Sequence, residues 1–195
     1  MTRDIRERLL FLRSFLAHPR QIGAVFPTSR WAVRDTLDLV DFTGARCVVE
    51  FGAGTGVYTR ELLARLRSDA RLLAFEVDPI LADRLLSKLP DPRLHVVNDS
   101  AENVEAYLND ARADVIISAL PFTSLPTGLR RSILEHSRRA LIASGVMLVL
   151  QYSPLIQPEL RRVFTSVERH ISPFNVPPAF LFACQASRPS SEGDR

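Results

Sequence analysis

Apolar positions along the chain follow two rhythms. Short continuous runs at 47–51, 72–75, 94–97, 115–120 and 146–150 are too brief for helices and read as strands buried on both faces. Between them, stretches such as 59–67, 80–89 and 129–141 repeat apolar residues at the three- and four-residue spacing of a helix face. Alternation of this kind predicts a parallel sheet with helices on both sides. Two later segments, 167–171 and 180–186, are joined by Pro-containing residues 173–178, a link shorter than the dozen or so residues a parallel crossover needs. They predict an antiparallel hairpin, giving one α/β domain over residues 31–187 with a seven-stranded, mostly parallel sheet. Residues 188–195, polar and with Pro189 and Gly193, read as a frayed tail.

The first 30 residues differ. On a helix, Ile5, Leu9, Leu12 and Leu16 form one stripe, with Phe11 and Phe15 beside it and Arg6 and Arg13 on an edge. The formal net charge of +3 is concentrated there, since Arg3, Arg6, Arg8, Arg13, Arg20 and Arg30 face only Asp4 and Glu7, and the remainder is close to neutral. A local anionic partner, membrane surface or nucleic acid, suits that arm better than a general basic coat would. Packing of the stripe on the domain is the alternative.

Composition changes little else. At 195 residues, 46% hydrophobic and 24% charged, the chain is one globular domain. No apolar run reaches the roughly 20 residues that span a bilayer. The arm's apolar stretch is too short and too charged for a signal peptide, so a cytoplasmic protein is expected. Cys47 and Cys184 lack ligand spacing and read as buried thiols, and His18, His95, His136 and His170 share no spacing, so no metal site is expected. Tyr58 and Trp31 read as helix-face packing or pocket lining, and the Arg130-Arg131 and Arg138-Arg139 steps as solvated faces.

The sharpest motif is Glu50-Phe51-Gly52-Ala53-Gly54-Thr55-Gly56, three glycines in five positions after a strand and before a helix. Backbone there must turn tightly and pass close to a ligand. A dinucleotide fingerprint would want its third glycine at Val57, which disfavours a nicotinamide cofactor. Glu76 ends the second strand, where doubly wound folds place a carboxylate for ribose hydroxyls. Asp78 before Pro79 reads instead as a helix cap. Asp99 or Ser100 has a capping alternative for a helix beginning near Ala101.

The Gly loop resembles the S-adenosylmethionine loop of class I methyltransferases, whose Rossmann-like fold matches the strand pattern. The resemblance implies that Glu50 holds the methionyl end, that Gly52, Ala53, Gly54, Thr55 and Gly56 wrap the cofactor, and that Asp99, Ser100 and Ala101 receive the adenine. It also places the reaction centre after the fourth strand, at Ser118-Ala119-Leu120-Pro121-Phe122. Methyl transfer is an in-line displacement, so alignment and exclusion of water matter more than a general base. Leu120 and Pro121 are expected to turn carbonyls towards an amine, and Phe122 an aromatic face towards its methylated forms.

Further segments narrow the resemblance. Ile22-Gly23-Ala24 leading to Pro27-Thr28-Ser29, Ser118-Ala119-Leu120-Pro121, Tyr152 after the fifth strand, and Asn175-Val176-Pro177-Pro178-Ala179 look like the bacterial phospholipid N-methyltransferases. That resemblance implies methylation of phosphatidylethanolamine towards phosphatidylcholine, with S-adenosylhomocysteine as by-product, on the inner face of the cell membrane. It adds Thr28, Ser29 and Ser118 to the cofactor site and Tyr152 to the acceptor site. The rivals are a methyltransferase of another aminolipid, such as an ornithine lipid, or of a small amine, and an rRNA adenine N6-methyltransferase, whose relatives carry Asn-Leu-Pro-Tyr at the reaction centre. Ala119 stands where that Asn would grip an exocyclic amine.

Overall fold

The computed structural model describes residues 29–109 and 111–187. The expected N-terminal arm, with its Ile5, Leu9, Leu12, Leu16, Arg6 and Arg13, together with Thr28 and the tail at 188–195, lies outside the described residues.

Seven strands form one sheet in the order β3-β2-β1-β4-β5-β7-β6. They are β1 (Cys47–Phe51), β2 (Arg71–Phe75), β3 (Leu94–Val97), β4 (Ala113–Ser118), β5 (Leu141–Gln151), β6 (Ser166–Ser172) and β7 (Ala179–Gln185). The first five are parallel, and β7 runs antiparallel between β5 and β6, as the short 173–178 link requires. Among the described residues five α-helices cover the sheet: α1 (Arg30–Leu37), α2 (Val57–Arg65), α3 (Pro79–Lys88), α4 (Thr127–Ala140) and α5 (Gln157–Val163).

Alternation along each strand divides the core. Val49 and Phe51 face a layer built by α4, α5 and the 3₁₀ segment Ala101–Tyr107, with Val104, Ile133 and Leu160 buried there. Val48 faces the other way, onto α1, α2 and α3 through Leu37, Leu62 and Leu85. Cys47 and Cys184 are free and buried, as expected.

Local sequence sets where the helices begin. Asp78 caps α3 by accepting the Ile80 amide at 2.8 Å, and Pro79 occupies the first helical position, where a missing N–H costs nothing. The Ser29 hydroxyl accepts the Ala32 amide at 3.2 Å and caps α1.

Two expectations change. The strand expected at 146–150 begins already at Leu141, where the helix expected to 141 has ended at Ala140. The helix expected from near Ala101 is a 3₁₀ segment, capped by Ser100 and not by Asp99.

Candidate active site

All five parallel strands end on the same side of the molecule, and the connections leaving β1 to β4 surround a cleft. Gly52, Phe75, Glu76, Val77, Asp99, Ala101 and Leu120 line it, and about 230 Å³ of empty space there runs out into open solvent. Each of the first four strands therefore contributes at its carboxyl end, where open α/β sheets bind their ligands.

The glycine loop is pinned to β2. The Gly52 and Ala53 amides both donate to the Phe75 carbonyl, at 2.9 and 3.0 Å. Gly52, Gly54 and Gly56 adopt φ of +75°, +53° and +82°, the left-handed region that side chains resist. Their surroundings differ. A Cβ on Gly56 would stand 2.5 Å from Leu85 Cδ1, so this glycine lets α2 pack against α3. A Cβ on Gly52 would stand 3.0 Å from Leu120 Cδ2, across the cleft, whereas one on Gly54 would meet nothing closer than the Gly52 carbonyl at 3.8 Å. Thr55 is exposed at the crest of the loop, and Ala53 is buried beneath it.

Two buried carboxylates lie at this end of the sheet. Glu76 accepts the Gly54 amide at 2.8 Å through one oxygen and the Asp78 amide at 2.9 Å through the other. Burial nevertheless pushes its pKa up, the two amides only partly offsetting it. Glu50, on the Val48 face of β1, accepts the Thr59 hydroxyl of α2 at 2.7 Å. Burial, reinforced by the charge of Glu76, pushes it to about 7. Of the two, Glu76 lines the cleft, with Asp99 and with no basic side chain among the described residues, so the field inside it favours positive charge, while Glu50 lies behind the lining.

Asp99 is held from its own helix side. Its oxygens accept Asn103 Nδ2 at 3.0 and 3.1 Å and the Tyr107 hydroxyl at 2.9 Å, fixing a carboxylate on the rim. Asn98 donates its side-chain amide to the Glu76 carbonyl at 2.8 Å, tying the ends of β2 and β3 together.

The turn after β4 departs from expectation. The Leu120 carbonyl already accepts Gln151 Nε2 at 2.7 Å and the Phe122 amide at 2.8 Å, which uses both lone pairs and leaves none for an amine. Phe122 has no exposed surface and fills the core between the sheet and α4, so its ring offers no face to an acceptor. The Pro121 carbonyl accepts the Ser124 amide at 2.9 Å and keeps one lone pair. Ser118 is buried, its hydroxyl accepting the Leu120 amide at 3.3 Å. Tyr152 is half-buried just beyond β5. Tyr58 is buried and donates to the Thr36 hydroxyl of α1 at 3.0 Å, while Trp31 is exposed.

Two residues that shape this turn carried no expectation of a role. Gln151, the polar end of the apolar strand β5, is buried and spans to Leu120. Arg130 was expected on a solvated face, but it donates to the Phe122 and Leu125 carbonyls at 3.2 and 3.3 Å and pairs with Glu159 at 2.8 Å. Its place three and four residues before the buried Ile133 and Leu134 is the signal that separates it from Arg131, which pairs with Glu135 in solvent.

Comparison with known proteins agrees with this geometry. The family profile described as "Methyltransferase domain" matches residues 48–145, from β1 into β5. The ornithine lipid N-methyltransferase of Singulisphaera acidiphila is 30% identical over 191 residues, 95% of this chain and 100% of that protein. The chain belongs to the class I S-adenosylmethionine-dependent methyltransferases. This methyltransferase also shares its fold with the N-methyltransferase NodS from Bradyrhizobium japonicum, solved with S-adenosyl-L-homocysteine, at a TM-score of 0.66 and 14% identity over 91% of this chain and 97% of that one. An rRNA methylase from Streptococcus thermophilus matches at a TM-score of 0.57 and 21% identity, over 78% and 93% of the two chains. The residues present are compatible with cationic S-adenosylmethionine: Glu76 and Asp99 line the cleft, no basic side chain does so among the described residues, and a Cβ on Gly54 would meet nothing closer than 3.8 Å, which leaves room for close approach. Among the described residues no helix is long and apolar enough to cross a membrane.

Proposed function

We propose that the protein transfers methyl groups to the headgroup amine of an aminolipid at the inner face of the cell membrane. The observation that carries this reading is the full-length similarity to an ornithine lipid N-methyltransferase. The acidic cleft and the segments resembling phospholipid N-methyltransferases support it. Phosphatidylethanolamine is the acceptor that resemblance implies, and ornithine lipid the one the relative implies; both present a primary amine. Ala119 in place of the Asn of adenine methylases argues against an rRNA acceptor.

The bound cofactor supplies a methyl group activated on a sulfonium. Around it Glu50 takes the methionyl ammonium, Glu76 the ribose hydroxyls and Asp99 the adenine amino group. Gly52 to Gly56, with Ser100, Ala101, Ser118 and Ser29, complete the cofactor's surroundings. At the acceptor side, Leu120 walls the cleft and excludes water, while the Pro121 carbonyl and Tyr152 orient the incoming amine. An alkylammonium must first lose its proton, at a cost of about 4 kcal/mol at pH 7. Desolvation in the cleft and the nearby cationic cofactor both lower that cost.

The test supplies methyl-labelled cofactor with separate pools of phosphatidylethanolamine vesicles, ornithine-lipid vesicles, rRNA and small amines. Label in either lipid pool is expected. Label confined to rRNA or to a soluble amine would overturn the proposal.

A further inference from the structure

Of the seven large hydrophobic side chains exposed among the described residues, six stand at the end of the molecule where the parallel strands finish. Trp31 opens α1, Ile80 opens α3, Leu155 follows β5, and Ile171, Phe174 and Val176 surround the β6–β7 turn. Leu86, on the later part of α3, is the exception. Because β7 is antiparallel to β5, the β6–β7 turn lies at the same end as the cleft. Isolated exposed apolar residues need no explanation, but their concentration on one rim does.

The centre of this rim is drawn together by one bond. Asn175 Oδ1 accepts the Ser29 amide at 3.1 Å, which brings Trp31, two residues on, to the turn where Phe174 and Val176 flank Asn175. Phe174 is 76% and Val176 81% exposed, so both protrude from the turn instead of lining a groove. Pro173, Pro177 and Pro178 stiffen the turn that presents them. The chain also enters this rim from a basic stretch: the 28 residues before Ser29 carry Arg3, Arg6, Arg8, Arg13 and Arg20 against Asp4 and Glu7, and Arg30 is exposed beside Trp31.

We propose that this rim is a lipid-docking surface, with Trp31, Phe174 and Val176 inserted at headgroup level of an anionic bilayer and the cleft opening towards the headgroups. Protruding apolar side chains suit a fluid interface, whereas a stable protein partner needs about 800 Å² of complementary, packed surface on each side. Trp is the residue best fitted to that level, having a large apolar body and one N–H for the wet side. The basic stretch adds attraction to anionic lipid that falls with salt. The inference rests on the aminolipid reading and adds how the cleft meets its substrate.

Trp31 is the only Trp in the chain, so its emission reports this rim alone. Full-length protein is titrated with vesicles of phosphatidylglycerol and phosphatidylethanolamine, with and without lipids brominated near the headgroup end of their acyl chains. Docking predicts a blue shift and quenching by the brominated lipid. It also predicts at least tenfold weaker vesicle partitioning for a Phe174→Asp, Val176→Asp double variant, whose methylation of a short-chain, monomerically dispersed aminolipid stays within twofold of wild type. An unmoved Trp31 emission, a double variant that partitions as wild type does, or emission already blue-shifted by self-association without vesicles would each overturn the docking surface. Failure of the wild type to methylate the dispersed aminolipid would instead overturn the aminolipid reading itself.

Discussion

Ser29 and Asn175 are 146 positions apart, and the amide of one donates to the side-chain oxygen of the other at 3.1 Å. The bond joins the start of α1 to the β6–β7 turn, two segments far apart along the chain. Asn175 is buried and its Nδ2 also donates to the Pro177 carbonyl at 2.7 Å, so one side chain fastens α1 to the β6–β7 turn. The Ser172 hydroxyl, bonded to Asp35 of α1, is a second fastening.

Replacing Asn175 with Ala leaves the half-buried Pro177 carbonyl and Ser29 amide without that partner. A loss of about 1–3 kcal/mol is expected, read as a lower urea midpoint at unchanged slope. Unaltered stability would show the bond to be dispensable.

Glu50 makes the apoprotein sensitive to pH. Its folded pKa of about 7 lies above the unfolded value, so its protonated form contributes stability that is present in acid and lost as pH rises towards and through 7. A displacement of that size corresponds to about 3 kcal/mol. Glu50→Gln is therefore expected to raise the apoprotein's melting temperature at pH 8 and to change it little at pH 4. The same variant should lose affinity for the cationic cofactor. In the wild type that affinity should fall between pH 8 and pH 6, as Glu50 takes up a proton. A melting temperature for Glu50→Gln that tracks wild type at both pH values would remove the strained carboxylate from the account.

The glycines should separate by role. Gly56→Ala puts a Cβ 2.5 Å from Leu85 at a left-handed φ and should destabilise the fold by about 2 kcal/mol or more. Gly54→Ala meets no such obstacle within the chain, so its cost in stability should be about 1 kcal/mol while cofactor affinity drops further. Thermal melts paired with cofactor titrations check this, and equal effects on both readouts in both variants would contradict it.

Arg130→Ala should release the Phe122 and Leu125 carbonyls and strand Glu159. Because the turn borders the proposed acceptor side, turnover should fall while binding of S-adenosylhomocysteine changes less than twofold. Arg131→Ala, which loses only a solvent-exposed pair, is the control and should behave as wild type.

Much of this was legible in the residues. β1 and β3 fall where their apolar runs lie, because strands buried on both faces are continuous apolar stretches bounded by polar or glycine residues. The loop, Glu76 and Asp99 were legible because each follows such a strand. α1 and α5 were not, being 8 and 7 residues long and held by tertiary bonds such as Ser172–Asp35. Leu141-Ile142-Ala143-Ser144 belongs equally to a helix end or a strand start, and only pairing with β4 decides it. The partner of the Leu120 carbonyl is Gln151, 31 residues away, and the Phe122 ring is buried by core packing with residues of other elements, neither of which a local pattern reveals.

The account stands on the cleft at the ends of β1 to β4 being the cofactor site, and calorimetric titration with S-adenosylhomocysteine tests that most directly. Wild type is expected to bind one equivalent, and Glu76→Ala to bind at least tenfold more weakly, since charge-assisted bonds to the two ribose hydroxyls contribute about 1.5–3 kcal/mol each. A folded Glu76→Ala protein that binds with wild-type affinity would contradict the account.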